Sequence, residues 1–380
     1  MAVAKFIEGA VSAQPQSGLV SALYRETGGN PLFLGEAVRL LATERRLSEV
    51  TDAGAIRFVV PPGIRDVILR RVRHLGEACV RALTLGSVFG TEFIVEALRR
   101  LGEYSAEEVL ELVDEAVRSG LLSEVPGALG RHRFSHGLVR ETLYEDLSPG
   151  ERARLHRRAG EVLVGIYGSD AEVHLAELAH HFFEAARGGD AGRAAEFARR
   201  AADQAVRSLA YEEAARLYHM ALQAFELEGS TDGVLHADLL LALGDARGRA
   251  GDLSSASEAF LRAAGIARRT GEATQLARAA LGYGGRFVWT RAGSDRHIIP
   301  LLQDALVLLG GNDDRLRIRL LARLACALRD SPDREHTDAL SRQAVELARQ
   351  LNDLPTLGYA LVGRAWATFW RRRSSRSGSS

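Results

Sequence analysis

Lysine is almost missing from this 380-residue chain: Lys5 is the only one, and every other cationic side chain is arginine. Lys5 stands in Ala-Val-Ala-Lys-Phe, with no glycine before it and no Ser or Thr after it. The G-x-x-x-x-G-K-[ST] phosphate loop is therefore absent, and no lysine elsewhere can form a Schiff base. Cysteine is nearly as scarce. Cys79 and Cys326 lie far apart and neither belongs to a Cys-x-x-Cys pair, which excludes a disulfide framework and a cysteine-rich zinc site and makes a reducing compartment, the cytoplasm, the expected location. Net charge is missing too. The 49 basic and 49 acidic residues cancel, so no global field draws the chain to nucleic acid or to a membrane. No apolar run approaches the ~20 residues of a membrane span, and the N-terminus lacks a signal-peptide pattern. Aromatics are only 6% while Ala, Leu and Arg dominate, a balance that favours helices over sheets.

What is present divides the chain into segments. In residues 1–60, two helical stretches flank Thr27-Gly28-Gly29-Asn30-Pro31, where Gly supplies positive φ and Pro31 can open the next helix. Residues 56–60 read as a short strand. In residues 61–147, Ile64, Val67, Ile68, Val72 and Leu75 keep helical spacing, and further helices are expected over 77–88 and 93–101. Ser105 and Glu108 form a Ser-x-x-Glu capping box, and Gly120 closes that helix. Residues 121–125 and 131–134 flank a Pro/Gly turn as two short strands, a β-wing, so a winged helix is expected. Residues 136–147 are again helical. Residues 148–190 read as linker helices over 148–167 and 171–186.

From residue 191 to 370 the chain is helical and repetitive. The tetratricopeptide pattern places small or apolar residues at fixed offsets of a roughly 34-residue helix–turn–helix. Leu243, Gly244, Ala256, Phe260 and Ala263 fit it, Ala202, Ala214, Tyr218 and Ala221 mark the preceding copy, and Leu324, Ala325 and Ala344 mark a later one. Leu281-Gly282 and Ala305 mark a stretched copy whose Gly-Tyr-Gly-Gly and Arg-Ala-Gly-Ser segments lengthen the turn. Small residues belong where helices touch, and each pair leaves an apolar face that the next covers. Residues 357–370 read as the first helix of another repeat, followed by an Arg/Ser-rich, disordered tail over 371–380. The expected fold is mainly α: a helical segment, a winged-helix domain with a small β-wing, then an α-solenoid.

Three segments together resemble a known family. The run from Tyr24 through Thr27-Gly28-Gly29-Asn30-Pro31 to Leu34 resembles the end of the helical lid in STAND-type ATPases. Arg131-His132-Arg133-Phe134-Ser135-His136-Gly137-Leu138, continuing to Tyr144, resembles the segment that closes their winged-helix domain. The repeat array completes the order, and the subgroup it looks like is that of large LuxR-type regulators and cyclase-associated ATPases. The resemblance implies that residues 1–60 are a lid remnant and that an ATPase core would precede residue 1. It further implies a winged helix that folds over bound ADP at rest and repeats that sense an inducer or a protein partner. It carries cofactor contacts to Gly29 and Pro31, beside adenine, and to His136, near the β-phosphate. Gly137 stands where related ATPases have a carboxylate. The Walker A, Walker B and sensor-1 segments have no match, so this chain alone is expected to be non-catalytic, to hold no cofactor, and to bind ATP or ADP only when joined to an upstream core. The alternatives are a stand-alone tetratricopeptide adaptor and a subunit that completes a separate P-loop ATPase. The switch to Arg/Ser at the C-terminus further suggests a truncated reading frame.

The helix in the recognition position carries Glu107, Glu108, Glu111, Asp114 and Glu115 against Arg118 alone, so phosphates would be repelled and no direct DNA binding is expected. His174 and His181 are seven apart, roughly 10 Å along a helix, too far for one zinc with ligands at about 2 Å; helix packing is expected for them and for His180. Asp313-Asp314 reads as a loop entering a helix. Tyr283, Arg286, Phe287, Trp289 and Arg291 cluster in the stretched repeat, where aromatic and arginine side chains suit a partner-binding surface.

Overall fold

The computed structural model describes residues 74–369 apart from Arg286, 289–294 and Asn312, and in addition Val20, Tyr24, Leu34 and Val72. The expected strand at 56–60 and the tail at 371–380 lie outside the described residues, as does most of the first 73. Val20, Tyr24, Leu34 and Val72 are helical. The chain forms two compact units. One comprises residues up to His174 with 184–190; the other comprises Leu175–Phe183 and residues from Ala191 on.

In the first unit, α1 (Glu77–Phe89) leads into β1 (Glu92–Ile94), α2 (Val95–Gly102) and α3 (Ala106–Arg118), then β2 (Leu122–Glu124), β3 (Arg131–Phe134), α4 (Gly137–Glu145) and α5 (Pro149–Tyr167). The anticipated hairpin is present, and a third strand joins it. β3 pairs antiparallel with both β2 and β1, with Phe93 opposite His132 and Ser123 opposite Arg133. The helix expected over 93–101 thus begins two residues later, because Phe93 and Ile94 belong to the strand. Phe93 lies buried against Phe134 with ring centroids 5.8 Å apart. The α3 capping box is complete: Ser105 Oγ accepts from Glu108 N at 3.1 Å, and Glu108 Oε2 accepts from Ser105 N at 2.7 Å. The helix closes where Gly120, at φ +72°, donates to Val117 O. Leu83, Leu98, Leu101, Val109, Val113 and Leu138 fill the core. Arg158 holds α5 to the end of α2 through Leu101 O (3.0 Å) and Glu103 (2.6 Å). The stretch expected as one helix over 171–186 starts as a 3-10 segment, Gly168–His174, before α6 (Leu175–Ala185).

The second unit is a succession of helix pairs: α7 (Ala191–Arg207) with α8 (Tyr211–Glu228), α9 (Gly233–Ala250) with α10 (Leu253–Thr270), α11 (Ala273–Tyr283) with α12 (Ile298–Leu309), and α13 (Asp314–Ala327) with α14 (Arg334–Leu351). A last helix, α15 (Leu354–Ala367), follows. Within each pair the two helices pack together, successive pairs pack on one another, and α9, α11, α13 and α15 touch in series. Aspartates start many of these helices. Asp232, Asp252, Asp313, Asp333 and Asp353 each accept backbone N–H groups of the first turn, so Asp313 is a helix cap, as a loop entering a helix requires. The small residues expected at the contacts are buried there, apart from the half-buried Gly282. A Cβ at Gly244 would lie 2.9 Å from the Phe260 ring, and one at Gly282 closer still. Phe260 is thus held between its own pair and the next. The stretched copy is the one whose helices are separated by residues 284–297. This is a mainly α fold with a small sheet and a solenoid of tetratricopeptide-like repeats.

Candidate functional site

Two regions concentrate polar chemistry, one in each unit. In the first, β3 ends at Phe134 and His136 becomes the N-cap of α4 with extended backbone; its carbonyl accepts from Val139 N at 3.0 Å. The ring is half-buried at the sheet's end. Gly29 and Pro31, the other two residues to which nucleotide contacts were carried, lie outside the described residues.

One turn further, α4 carries a cluster that the sequence reading did not single out. The Tyr144 ring lies between two guanidinium groups, with Arg140 at 4.6 Å and Arg152 at 4.7 Å from its centroid. Its hydroxyl meets Nε2 of the fully buried His156 at 2.9 Å. Arg140 Nε donates to Ser87 O (2.9 Å), and Arg152 donates to the carbonyls of Tyr144 (3.1 Å) and Glu145 (2.9 Å) at the end of α4. Cation–aromatic stacking of this kind contributes up to about 2 kcal/mol when desolvated. Its signal was two four-residue spacings, Arg140/Tyr144 and Arg152/His156, on helices joined by Ser148-Pro149. The cluster fixes the closing helix to α1 and α5 and presents no nucleophile.

The acidic surface expected on α3 is there. Glu107, Glu108, Glu111 and Asp114 are exposed, while Glu115 turns inward and accepts from Gly76 N at 3.0 Å. That carboxylate and burial push the Cys79 thiol up to about 12, burial being the larger cause. The His174 ring stacks on Tyr167 at 3.7 Å, and His181 is buried beside His180. Among the described residues no three His, Cys, Asp or Glu side chains group as metal ligands.

In the second unit the stretched repeat places two of the five partner-contact candidates. Tyr283 ends α11 and donates to Asp295 Oδ2 at 2.8 Å. Burial, with the Asp295 carboxylate beside it, pushes the phenol up to about 12. Asp295 also accepts from His297 N at 2.8 Å, so one carboxylate joins both ends of the 284–297 segment. Phe287 is 58% exposed. Arg286, Trp289 and Arg291 lie outside the described residues. Val288, which the sequence reading passed over, is 3% exposed and packs on α13 and α15.

The sheet-bearing helical unit and the helix-pair array define a class: a tetratricopeptide-like repeat protein with an additional small α/β unit. No family model matches the chain. An uncharacterized protein of Rhizobium meliloti is 27% identical over 171 residues, 43% of this chain but only 16% of that protein's length. A STAND protein with a tetratricopeptide repeat sensor from Pyrococcus horikoshii aligns in structure with a TM-score of 0.36 and 13% identity, over 97% of this chain and 56% of that one. This chain therefore spans well under two thirds of either protein. Among the described residues no helix is long and apolar enough to cross a membrane.

Proposed function

We propose that this chain is the sensor and effector-coupling portion of a STAND-type signalling ATPase of the LuxR-type or cyclase-associated kind. In this reading residues 61–147 are its winged helix, 148–190 are linker helices, and the helix pairs from residue 191 are its sensor. The observation that carries the reading is order: helix, strand, two helices and a hairpin, closed by the 131–144 segment and followed by tetratricopeptide-like pairs. In this reading a protein partner or small inducer binds the repeats, and the change passes through residues 136–190 to the winged helix. Nucleotide would be held by an upstream core, to which Gly29, Pro31 and His136 would add contacts. The acidic face of α3 favours a protein-contact role for the winged helix over DNA. A second reading, a stand-alone adaptor, rests on the helix pairs alone, which need no nucleotide to present a binding surface.

The test is to read the native locus and transcript upstream of Met1. An in-frame Gly-x-x-x-x-Gly-Lys-Ser/Thr segment supports the ATPase reading. A verified start at Met1, with no copurifying P-loop subunit, leaves the adaptor. Calorimetry with ATP on this chain alone should give no micromolar binding, because the backbone N–H groups and lysine of a phosphate loop are not in it.

A further inference from the structure

Within the first unit, the start of α5 meets the 3-10 turn Ala186–Gly188, and a cavity of about 320 Å³ lies between them. Three arginines line it, Arg154, Arg157 and Arg187, beside Pro149, Gly150 and Ala153, and its lining contains no carboxylate. Arg154 and Arg157 are three residues apart, so they share one face of α5.

The protein holds one of these arginines in place. Arg157 Nε pairs with Asp190 at 2.6 Å, and its Nη2 donates to Gly188 O at 2.6 Å. Asp190 thereby neutralises one of the three charges. Arg154 and Arg187 are exposed, and neither makes a hydrogen bond or an ion pair among the described residues. Glu151, the carboxylate on which Arg154 acts electrostatically, is engaged in the α5 cap, where it accepts from Ser148 N at 2.9 Å. Two positive charges are left at one small space, with the positive end of the 19-residue α5 beside them. The space is at the lower end of small-molecule sites, about 300–1,000 Å³, so it has room for more than an ion. Pro149 and the buried Ala153 give it an apolar side.

We propose that this cavity binds a phosphate monoester, with the dianionic phosphoryl group on Arg154, Arg157 and Arg187 and a small apolar body against Pro149 and Ala153. Such a group carries about −1.5 to −2 charge near pH 7 and presents three acceptor oxygens. It therefore matches the two guanidinium groups that no carboxylate neutralises. A carboxylate or a sulfate ester, with a single charge, leaves one of them unanswered. Bound there, the phosphoryl group bridges α5 and the Ala186–Gly188 turn. The site lies within the first unit and does not depend on what the helix pairs bind.

Titration calorimetry on the full chain, at low salt and about pH 8 where the phosphoryl group is dianionic, would use phenyl phosphate as the probe. Phenyl sulfate has the same body with one charge, and inorganic phosphate has the charge without the body. Phenyl phosphate should bind about tenfold tighter than either. Arg154→Gln and Arg187→Gln should each weaken it about tenfold, the worth of one charge-assisted hydrogen bond. Together they should abolish binding and leave the helical circular dichroism unchanged. Gly150→Glu approaches the site from the other side. A Cβ at Gly150 meets no atom within 4 Å, and a carboxylate in the first turn suits the helix dipole. This variant should keep or raise the Tm and block the probe, because it brings its own negative charge to the cavity. No binding of any of the three anions overturns the proposal. Binding that survives both arginine substitutions puts the anion elsewhere and overturns the site. Equal affinity for phenyl sulfate overturns the dianion assignment, and equal affinity for inorganic phosphate overturns the monoester.

Discussion

Phe260 sits where two helix pairs meet, and its ring sets how closely they approach. Gly244 of its own pair and Gly282 of the next both lack the Cβ that would strike it. Gly282→Ala adds a methyl group where a buried ring cannot yield, so it should destabilise the second unit by about 1–3 kcal/mol. Thermal circular dichroism would read this as a lowered Tm, and Phe260→Leu in the same background should recover part of it. Cys79 gives a prediction with a pH sign. Its folded pKa, about 12, exceeds the usual thiol value near 8.5. The stability this shift provides is complete below about pH 8.5 and is lost as pH rises toward 12, because the unfolded chain releases the proton first. The first unit should therefore lose Tm between about pH 9 and 11, and Cys79→Ala should flatten that slope.

Caps show how single residues become elements. Ser148 Oγ accepts from Glu151 N at 3.3 Å and Glu151 Oε2 accepts from Ser148 N at 2.9 Å, while Pro149 opens α5. Ser148→Ala should cost about 1 kcal/mol, and Ser148→Asn much less, measured by urea unfolding. The aspartate caps carry a different signature. Hydrogen bonds from the first turn, led by Ser255 and Thr356, hold the carboxyls of Asp252 and Asp353 below the ordinary range. Their contribution is present above the unfolded pKa near 3.9 and is lost as pH falls through the lower folded value. Asp252→Asn keeps an acceptor and should reduce the acid sensitivity of the array's Tm. The Ser105–Glu108 capping box and the Gly/Ala contact positions were legible in the sequence because each is a local pattern with one physical cause. β1 was not, since three residues running straight into a helix give no alternation to detect. The burial of Val288 was hidden for another reason. It depends on Gly363 and Ala322, which no local window brings together, whereas the exposed aromatic beside it drew notice by composition alone.

At the scale of the whole molecule, ion pairs repeat with the architecture. Arg262–Glu226, Arg268–Asp304, Arg278–Asp238 and Arg315–Asp353 join second helix to second helix or first to first, at sequence separations of 36, 36, 40 and 38. These are the spacings of one repeat, so the pairs fix how successive pairs stack. All involve largely exposed arginines, and such pairs contribute about 0–1 kcal/mol each and are screened by salt. Stability must then reside in apolar burial, which among the described residues includes a core around Leu83, Leu98 and Leu138 and another around Ile318, Leu321 and Cys326. Because each core lies within one unit, calorimetry should show two transitions. Raising salt to 1 M should move neither by more than a few degrees, Gly282→Ala should lower only one, and Leu138→Ala, at about 2–5 kcal/mol, only the other. A single transition that both substitutions shift equally would mean that the units unfold as one cooperative body, and a signal could then pass between them without a separate hinge.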